Sequence, residues 1–573
     1  MDRSGRKPTL YKGHSKAIAF MCLLLLVLPS LIFGGGPLPQ EPTVRKRTDV
    51  PVYPVTPSVP DADRNDQSKV FLEHADRLWM DDRIDADYQV LTGNVQFRRG
   101  GMYMYCDSAH FYDKTGSMTA FGNVHMEQGD TLFVYAAELD YDGPGEMAVF
   151  YGDNYEPVRL INRDVELTTD VFHYDFQRNL GYYDVGGVLT DAENRLSSIY
   201  GEYQPDTKNA EFRVDVELKD QAEKKFRLTT ERLLYNTETR VARIVSPSVI
   251  VTDSATVYSS NGIYNTDSSK VDLYDRSLVV TPRGSTLTAD SLFYDTDISF
   301  GEGFGNVVIT DSLRKSALEG DYGFLYEKID SGMVIGRARA LEYSRGDTLY
   351  MHGDTIRGYL LPDSTHIVSA YPNVRFWRVD MQGICDTLNI LERDSIMYMH
   401  HHPVVWSGAR QIFGNLIKVH FNDSTADWAQ LPDYGFVAEH IEDYFFNQLT
   451  GREMLAGFVN GDLRQLDVKG NVEAIFLPQE NDSTYNKMVR TESSTLKALF
   501  LDRKIEKMTM WPEVSGTVTP LYLSKRSESR LDGFQWYDVL RPVDKDDIFN
   551  VPSEMVELMS QPPINPRRRA TQQ

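Results

Sequence analysis

Apolar and polar positions alternate over short stretches of this chain, and one nine-residue phrase returns about every thirty residues. In the clearest copy, Leu287 to Asp295, the first, third, sixth and eighth places are apolar or small. A spacing of two places is typical of a strand with one buried face. The step of three between the third and sixth places predicts a bulge or corner, at which both halves of the strand keep facing one interior.

In eight copies a tyrosine closes the phrase, and successive tyrosines are 29 to 33 residues apart. They are Tyr112, Tyr141, Tyr174, Tyr203, Tyr235, Tyr264, Tyr294 and Tyr326. The copies that end at Tyr112 and Tyr326 are one residue longer than the others. A second phrase, such as Gly122-Asn123-Val124, follows most of the tyrosines after a polar turn. A fixed period of this length indicates stacked supersecondary units, so the sequence predicts an all-β solenoid of ~30-residue repeats.

Small residues at the third place of the phrase predict room in the middle of each repeat. They are Ala136, Thr169, Ser198, Thr230, Ser259 and Ala289. An under-filled apolar interior would form an open groove, whereas a ladder of aromatic side chains also suits a dry, packed core. Both interpretations remain open from the sequence. The candidate groove residues are Val134, Ala136, Leu139, Tyr141, Leu228, Leu233, Tyr235, Leu287, Ala289, Leu292 and Tyr294.

The N-terminal residues carry a pattern typical of export. Residues 1–36 combine five basic side chains with an apolar stretch from Ala17 to Phe33, as in a Sec-type signal. The stretch is short for a membrane span, so a cleaved signal peptide and a retained N-terminal membrane anchor are both compatible with it. Residues 37–66 contain seven prolines, which predicts an extended linker.

Repeat regularity divides the rest of the chain into four parts. We expect a repeat domain at 67–345, less regular repeats at 346–425, a terminal β region at 426–548 and a disordered tail at 549–573. Atypical terminal repeats are expected because they must close the core of an array.

Composition argues against several classes of function. The formal net charge of −23 disfavours binding to nucleic acid, because phosphate backbones would be repelled. The chain has no Gly-x-Ser-x-Gly elbow, phosphate-binding loop or dinucleotide fingerprint. We therefore expect neither enzymatic activity nor a bound cofactor.

Metal binding is expected to be absent as well. The triplet His400-His401-His402 lacks further ligands at a suitable spacing, and it predicts an exposed loop or edge. Aspartates at the fourth place, such as Asp107 and Asp290, are explained as turn formers. Cys106 and Cys385 occupy equivalent corner phrases many repeats apart, which predicts two small buried side chains and no disulfide between them.

The phrase apolar-x-Ala-Asp-x-apolar-x-Tyr-Asp, followed by Gly-Asn-Val, resembles the OstA-like, or LptA-like, family of lipopolysaccharide transport proteins. The resemblance extends over about 67 to 345 and more loosely to about 540. It implies a stacked β-jelly-roll of taco-like cross-section with an open apolar groove for the acyl chains of lipopolysaccharide.

The same resemblance implies a non-enzymatic bridge in the periplasm of a Gram-negative bacterium, which carries lipopolysaccharide toward the outer membrane. Expected partners are proteins of the same fold at the inner and outer membranes, with head-to-tail self-association as a further possibility. A structural β-solenoid of the cell envelope without a lipid ligand is the alternative.

Overall fold

The computed structural model describes residues 70–80, 88–112, 114–221, 226–313, 315–343, 347–391, 393–422, 426–460, 462–480, 484–501 and 504–564. The signal or anchor predicted at 1–36 and the linker at 37–66 lie outside the described residues. Among the described residues, no helix combines the length and the apolar character needed to cross a membrane. The described chain is almost entirely β, with many antiparallel strands, which confirms the predicted all-β solenoid of jelly-roll type.

The chain forms two compact units. The first contains residues 70–283 and 287–303, and the second contains 284–286 and the described residues from 304 onward. This division falls inside the repeat domain predicted at 67–345. The predicted boundaries at 345 and 425 stay predictions.

Each repeat bends at a corner, so that its strands belong to two facing sheets. In strand Leu132–Asp142, residues 132–135 pair with Val158–Asn162, whereas residues 138–142 pair with Met147–Tyr151. We call the sheet that contains residues 132–135, and its equivalent in every repeat, sheet 1, and the other sheet 2. The side opposite the corners, where the two sheets end, is called the mouth. In the first unit the rings of Phe226 in sheet 1 and Tyr264 in sheet 2 meet edge-on, with centroids 4.9 Å apart.

Long strands pass through a corner and contribute to both sheets. They are Tyr88–Arg99, Met102–Tyr112, Ser117–Gln128, Leu132–Asp142, Asn209–Asp220, Phe226–Asn236, Phe300–Asp311, Ser316–Tyr326, Asp462–Phe476 and Lys487–Leu501.

Short strands lie between these long ones. In the first unit they are Val70–His74, Arg77–Met80, Met147–Tyr151, Val158–Asn162, Val165–Thr169, Val171–Asp175, Leu180–Tyr183, Gly187–Thr190, Asn194–Ser198, Tyr200–Gln204, Val241–Ile244, Ser248–Thr252, Thr256–Ser259, Gly262–Asn265, Lys270–Leu273, Leu278–Val280 and Ser291–Asp295, with Ser285–Thr288 at the division between the units. In the second unit they are Ser331–Ile335, Arg339–Glu342, Leu349–His352, Thr355–Leu360, His366–Tyr371, Val374–Arg378, Met381–Cys385, Thr387–Leu391, Ile396–His400, Val404–Ser407, Arg410–Gly414, Leu416–Phe421, Ala426–Leu431, Gly435–Glu442, Phe445–Gly451, Glu453–Val459, Lys504–Trp511 and Ser515–Pro520.

A pair of left-handed residues makes the corner, and the Gly-Asn phrase supplies it. Gly122 and Asn123 have φ values of 72° and 47°, and the strand pairing shifts register there. Left-handed backbone suits glycine and asparagine, which explains the phrase. The Asn123 side chain donates a 2.7 Å hydrogen bond to Oδ2 of Asp107 on the neighbouring strand. The aspartate of one phrase and the Gly-Asn of the next therefore form one corner.

Two of the eight tyrosines do not occupy the predicted inward place. Phe111 is buried and Tyr112 is 38 % exposed, so the inward place of that copy holds the phenylalanine. Tyr326 is only half-buried. These two copies contain one extra residue. The extra residue moves the inward-facing place from the tyrosine to the residue before it. The other six tyrosines are buried as predicted.

In the second unit, a largely irregular segment covers one face of sheet 1. This segment, residues 521–564, is called the strap. It contains short 3₁₀ turns at Leu521–Leu523, Asp538–Leu540 and Asp547–Phe549, and the α-helix Ser553–Ser560. A further 3₁₀ turn lies at Glu327–Ile329, outside the strap.

The ordered strap corrects the prediction of a disordered tail at 549–573. Met555 and Leu558 of the helix are buried in a cluster with Trp406 and Phe436 of sheet 1. Burial of these apolar side chains stabilises residues up to 564 against the sheet. Residues 565–573 lie outside the described residues.

Candidate functional site

Ten of the eleven predicted groove residues are buried in the described structure. They are Val134, Leu139, Tyr141, Leu228, Leu233, Tyr235, Leu287, Ala289, Leu292 and Tyr294. Ala136 is half-buried. The inward faces of both sheets therefore meet in a packed apolar interior at these positions. Whether that interior admits a lipid stays a prediction.

Hydroxyl groups at the third place of the phrase have a role that the sequence analysis missed. Each one donates a hydrogen bond to the carbonyl oxygen two residues later, at the corner. The four bonds run from Thr169 to Val171, Ser198 to Tyr200, Thr230 to Arg232 and Ser259 to Asn261, at 2.8–3.3 Å. Buried carbonyl groups need hydrogen-bond partners. These small residues therefore supply a donor to the carbonyl oxygen at the corner, and they also leave room beside it.

Tyrosine hydroxyls tie the two sheets together across the mouth. The hydroxyl of Tyr235 in sheet 2 donates to Oδ2 of Asp191 in a turn of sheet 1, at 2.6 Å, and accepts from Asn194 at 3.1 Å. The equivalent Tyr203 accepts a 3.0 Å hydrogen bond from Asn162. Tyr294 donates to the Ser254 carbonyl at 3.3 Å. We call these contacts mouth bonds.

The mouth bond is missing at Tyr141. Its hydroxyl is buried, and no hydrogen-bond partner for it lies within the described part of the chain. In place of a polar turn, Arg99 of sheet 1 faces Tyr141, with the guanidinium carbon 5.9 Å from the ring centroid. The N-terminal repeats of the first unit thus differ from those at 203, 235 and 294.

An apolar pocket opens beside Tyr141, between the two sheets. Its cavity volume, the space open to the centre of a water-sized sphere, is about 40 Å³. Its walls are Val70, Phe97, Arg98, Arg99, Met102, Tyr103, Met104, Met118, Met126, Leu139, Tyr141, Ala148, Phe150 and Phe176. Two predicted groove residues, Leu139 and Tyr141, are among them. Apolar pockets with a few convergent polar groups are the usual form of small-ligand sites.

Arg99 supplies the charge at this pocket. Its Nη2 lies 2.7 Å from Oε2 of Glu146, and its guanidinium carbon lies 4.7 Å from the Phe176 ring centroid. Burial raises the pKa of Tyr141 more than the nearby Arg99 lowers it. The phenol therefore stays protonated at neutral pH and can donate a hydrogen bond.

The histidine triplet lies at a corner of the second unit. His401 and His402 have φ values of 59° and 52°, so they occupy the two left-handed places of Gly-Asn. His401 is exposed, and its Nδ1 lies 3.9 Å from Oδ2 of Asp386. His402 is buried, with Nε2 2.9 Å from the Gln561 carbonyl of the strap. The prediction of an exposed loop is thus wrong for His402, because the strap covers it.

Within the described ranges, no group of three or more His, Cys, Asp or Glu side chains could hold a metal ion. Cys106 and Cys385 are free thiols, and their predicted burial is confirmed.

Buried polar side chains of sheet 1 hold the strap, and the sequence analysis did not find them. Arg375, only 1 % exposed, donates to the Leu540 carbonyl at 3.0 Å and to Oδ2 of Asp547 at 3.1 Å. The buried Gln411 contacts the backbone of Gln535 and Tyr537 in the same way, and the buried Gln448 contacts that of Ser529 and Leu531. The half-buried Asn415, between strands Arg410–Gly414 and Leu416–Phe421, contacts the backbone of Ile564. Arg375, Gln411 and Gln448 lie on the face opposite the inward Cys385, so the strap covers the outer face of sheet 1.

Comparison with known proteins connects the N-terminal repeats to a family. The family model described as OstA-like protein matches residues 67–230. These residues contain the Arg99 pocket and the mouth bond of Tyr203. No curated protein matches the chain. Residues 67–230 are therefore an OstA-like segment, as the resemblance of the repeated phrase implies.

Proposed function

We propose that the protein binds lipopolysaccharide and carries it through the periplasm of a Gram-negative bacterium toward the outer membrane. The OstA-like match supports a role in envelope lipid transport, and that family binds and transports rather than catalyses. The observation that carries the proposal is the open apolar pocket between the two sheets, lined by the predicted groove residues Leu139 and Tyr141. Acyl chains enter there, and the sugars stay in water.

Exposed apolar strands at the edges of the sheets support docking to proteins of the same fold. In the first unit, strand Arg77–Met80 exposes Leu78, Trp79 and Met80. In the second unit, strand Lys504–Trp511 exposes Ile505, Met508 and Trp511. Unpaired edge strands accept a further strand through their free N–H and C=O groups.

Photo-crosslinking with lipopolysaccharide tests the proposal. A photoreactive phenylalanine analogue replaces Phe176 at the pocket, and in a matched variant it replaces Tyr258, which is 39 % exposed on the outer face of sheet 1. Delipidated full-length protein is titrated with lipopolysaccharide before illumination. We expect saturable crosslinking at position 176 and none at 258. Equal labelling at both positions would contradict a specific site.

A structural β-solenoid without a lipid ligand is the second candidate. The complete burial of Leu228, Leu233 and Ala289 favours it, because a dry, packed interior suits a spacer. Absence of saturable lipopolysaccharide binding in the same titration would favour this alternative.

A further inference from the structure

Two residues that line the N-terminal pocket each carry a buried polar atom without a hydrogen-bond partner in the described part of the chain. Within the described residues, neither Nε of Arg99 nor the hydroxyl of Tyr141 has a hydrogen-bond partner. Most buried polar atoms in native structures are paired, so an unpaired group at a pocket indicates a missing ligand, ion or water. The Nε–H of Arg99 can only donate, and the Tyr141 hydroxyl can donate as well as accept, so one acceptor would satisfy both groups.

Three equivalent tyrosines do have partners across the mouth. Tyr203, Tyr235 and Tyr294 all bond across the mouth. Tyr141 instead meets the ring of Phe176 edge-on, with centroids 5.7 Å apart. The aromatic rings and the aliphatic stem of Arg99 enclose the two donors in apolar surroundings, where a hydrogen bond to an acceptor is strong.

The remainder of the pocket fits hydrocarbon. Four methionines, Met102, Met104, Met118 and Met126, line it together with the aromatic side chains. Methionine side chains are flexible and adapt to irregular apolar ligands. Glu146 already neutralises part of the Arg99 charge. An oxygen acceptor at the head of a hydrocarbon chain therefore matches the site better than a large polyanion does.

We propose that Arg99 and Tyr141 bind the oxygen-bearing head of a single acyl chain, whose hydrocarbon enters the methionine-lined pocket. This inference rests on the proposed lipid-binding function. It states which end of the acyl chain the first repeats recognise. A carboxylate, an ester carbonyl and an amide carbonyl share this chemistry. The donors then fix the depth to which the chain enters.

Three ligands of equal chain length test the proposal on delipidated full-length protein. Dodecanoate has a charged head, methyl dodecanoate has a neutral carbonyl, and dodecane has no head; each is delivered from cyclodextrin. We expect Tyr141→Phe and Arg99→Met to weaken binding of the carbonyl ligands about tenfold and to leave dodecane binding unchanged. Weaker binding of dodecanoate alone would show that the two donors recognise a carboxylate head. Tyr258→Phe removes an exposed phenol on the outer face of sheet 1, outside the pocket, and it should leave all three affinities unchanged.

An equal loss for dodecane, or no loss for any ligand, would overturn the proposal. Tyr141→Phe removes a single oxygen atom and keeps the test valid if Arg99→Met does not fold. Wild-type protein that binds lipopolysaccharide but none of the three ligands would overturn this inference and leave the proposed function standing. Wild-type protein that binds none of the four would overturn both.

Discussion

Tyr235 and Asp191, 44 residues apart in sequence, are joined by a 2.6 Å hydrogen bond that closes the mouth between the two sheets of the first unit. Asp191 is buried, and its other oxygen, Oδ1, accepts from the backbone N–H groups of Glu193 and Asn194. The phenol thus partners the one carboxylate oxygen that the turn itself leaves unsatisfied. At Tyr141, which has no such bond, a pocket lies between the sheets instead.

Removal of this phenol should destabilise the first unit. We expect Tyr235→Phe to lower the free energy of unfolding by about 1.5–3 kcal/mol, the usual loss for a hydrogen bond to a charged group. Urea denaturation monitored by circular dichroism measures the change. Tyr258→Phe, at an exposed tyrosine, should change it by less than about 0.5 kcal/mol. Equal effects of the two substitutions would contradict a role for the mouth bond.

The buried tyrosines should also make the protein sensitive to alkali. Burial raises the pKa of Tyr183 to about 12, from an ordinary value of 10.0. The folded state therefore holds a proton that the unfolded state loses, so this contribution to stability is complete below pH 10 and declines between pH 10 and 12. Denaturation midpoints measured across this window should fall as pH rises. A Tyr183→Phe variant should show a shallower decline, and an unchanged slope would contradict the assignment.

Two alanines of the predicted groove should respond differently to enlargement. From the small third place alone, Trp at either alanine is expected to block lipid passage with limited effect on folding. The structure changes that expectation for Ala289, which is fully buried, so Ala289→Trp should cost about 1–3 kcal/mol or more through overpacking. Ala136 is half-buried, and Ala136→Trp should fold with a near-native melting temperature. Thermal denaturation, followed by lipopolysaccharide titration of the folded variants, separates the two effects. Similar melting temperatures for both variants would contradict this difference in packing.

The corner can be tested with two glycines that share a left-handed backbone. A Cβ added at Gly122 (φ 72°) would lie 2.6 Å from Oδ2 of Asp107, whereas one at Gly116 (φ 66°) would meet nothing within 4 Å. Gly116→Ala should cost about 1–2 kcal/mol through backbone strain alone. Gly122→Ala should cost more, and the difference between the two unfolding free energies measures the contact with Asp107. A smaller loss at Gly122 would contradict the coupling between the aspartate and the Gly-Asn phrase.

Arg375 should control attachment of the strap. Arg375→Ala leaves Asp547 and the Leu540 carbonyl without their partner, and we expect a loss of about 3–5 kcal/mol together with rapid tryptic cleavage of residues 521–564. The exposed pair of Arg393 and Asp363 provides the control, because Arg393→Ala should change stability by less than about 1 kcal/mol. Wild-type resistance of the strap in Arg375→Ala would show that apolar packing alone holds it.

The repeated phrase predicted the fold because its information is local. Alternation specifies each strand, and Gly-Asn specifies each corner, within a few residues of sequence. The mouth bonds escaped prediction because their partners are distant in sequence, as Asn162 and Tyr203 are, 41 residues apart. The sequence pattern did not predict the strap, because its buried residues follow no regular period. These residues are Leu531, Leu540, Ile548 and Met555. Its polar anchors in sheet 1 look like ordinary surface residues of a strand until the strap covers them.

The strap has a consequence for the order of events during synthesis. The guanidinium of Arg375 donates to the carbonyl of Leu540, which is synthesised 165 residues later. This hydrogen bond therefore cannot form until the strap has been translated. Until then, Trp406, Phe413 and Phe436 present an apolar sheet face to solvent. Exposed faces of this kind make partly folded chains prone to aggregation. The interval between translation of residue 413 and residue 564 is therefore the period in which a nascent chain most needs protection, and slower elongation there would lower the yield of folded protein.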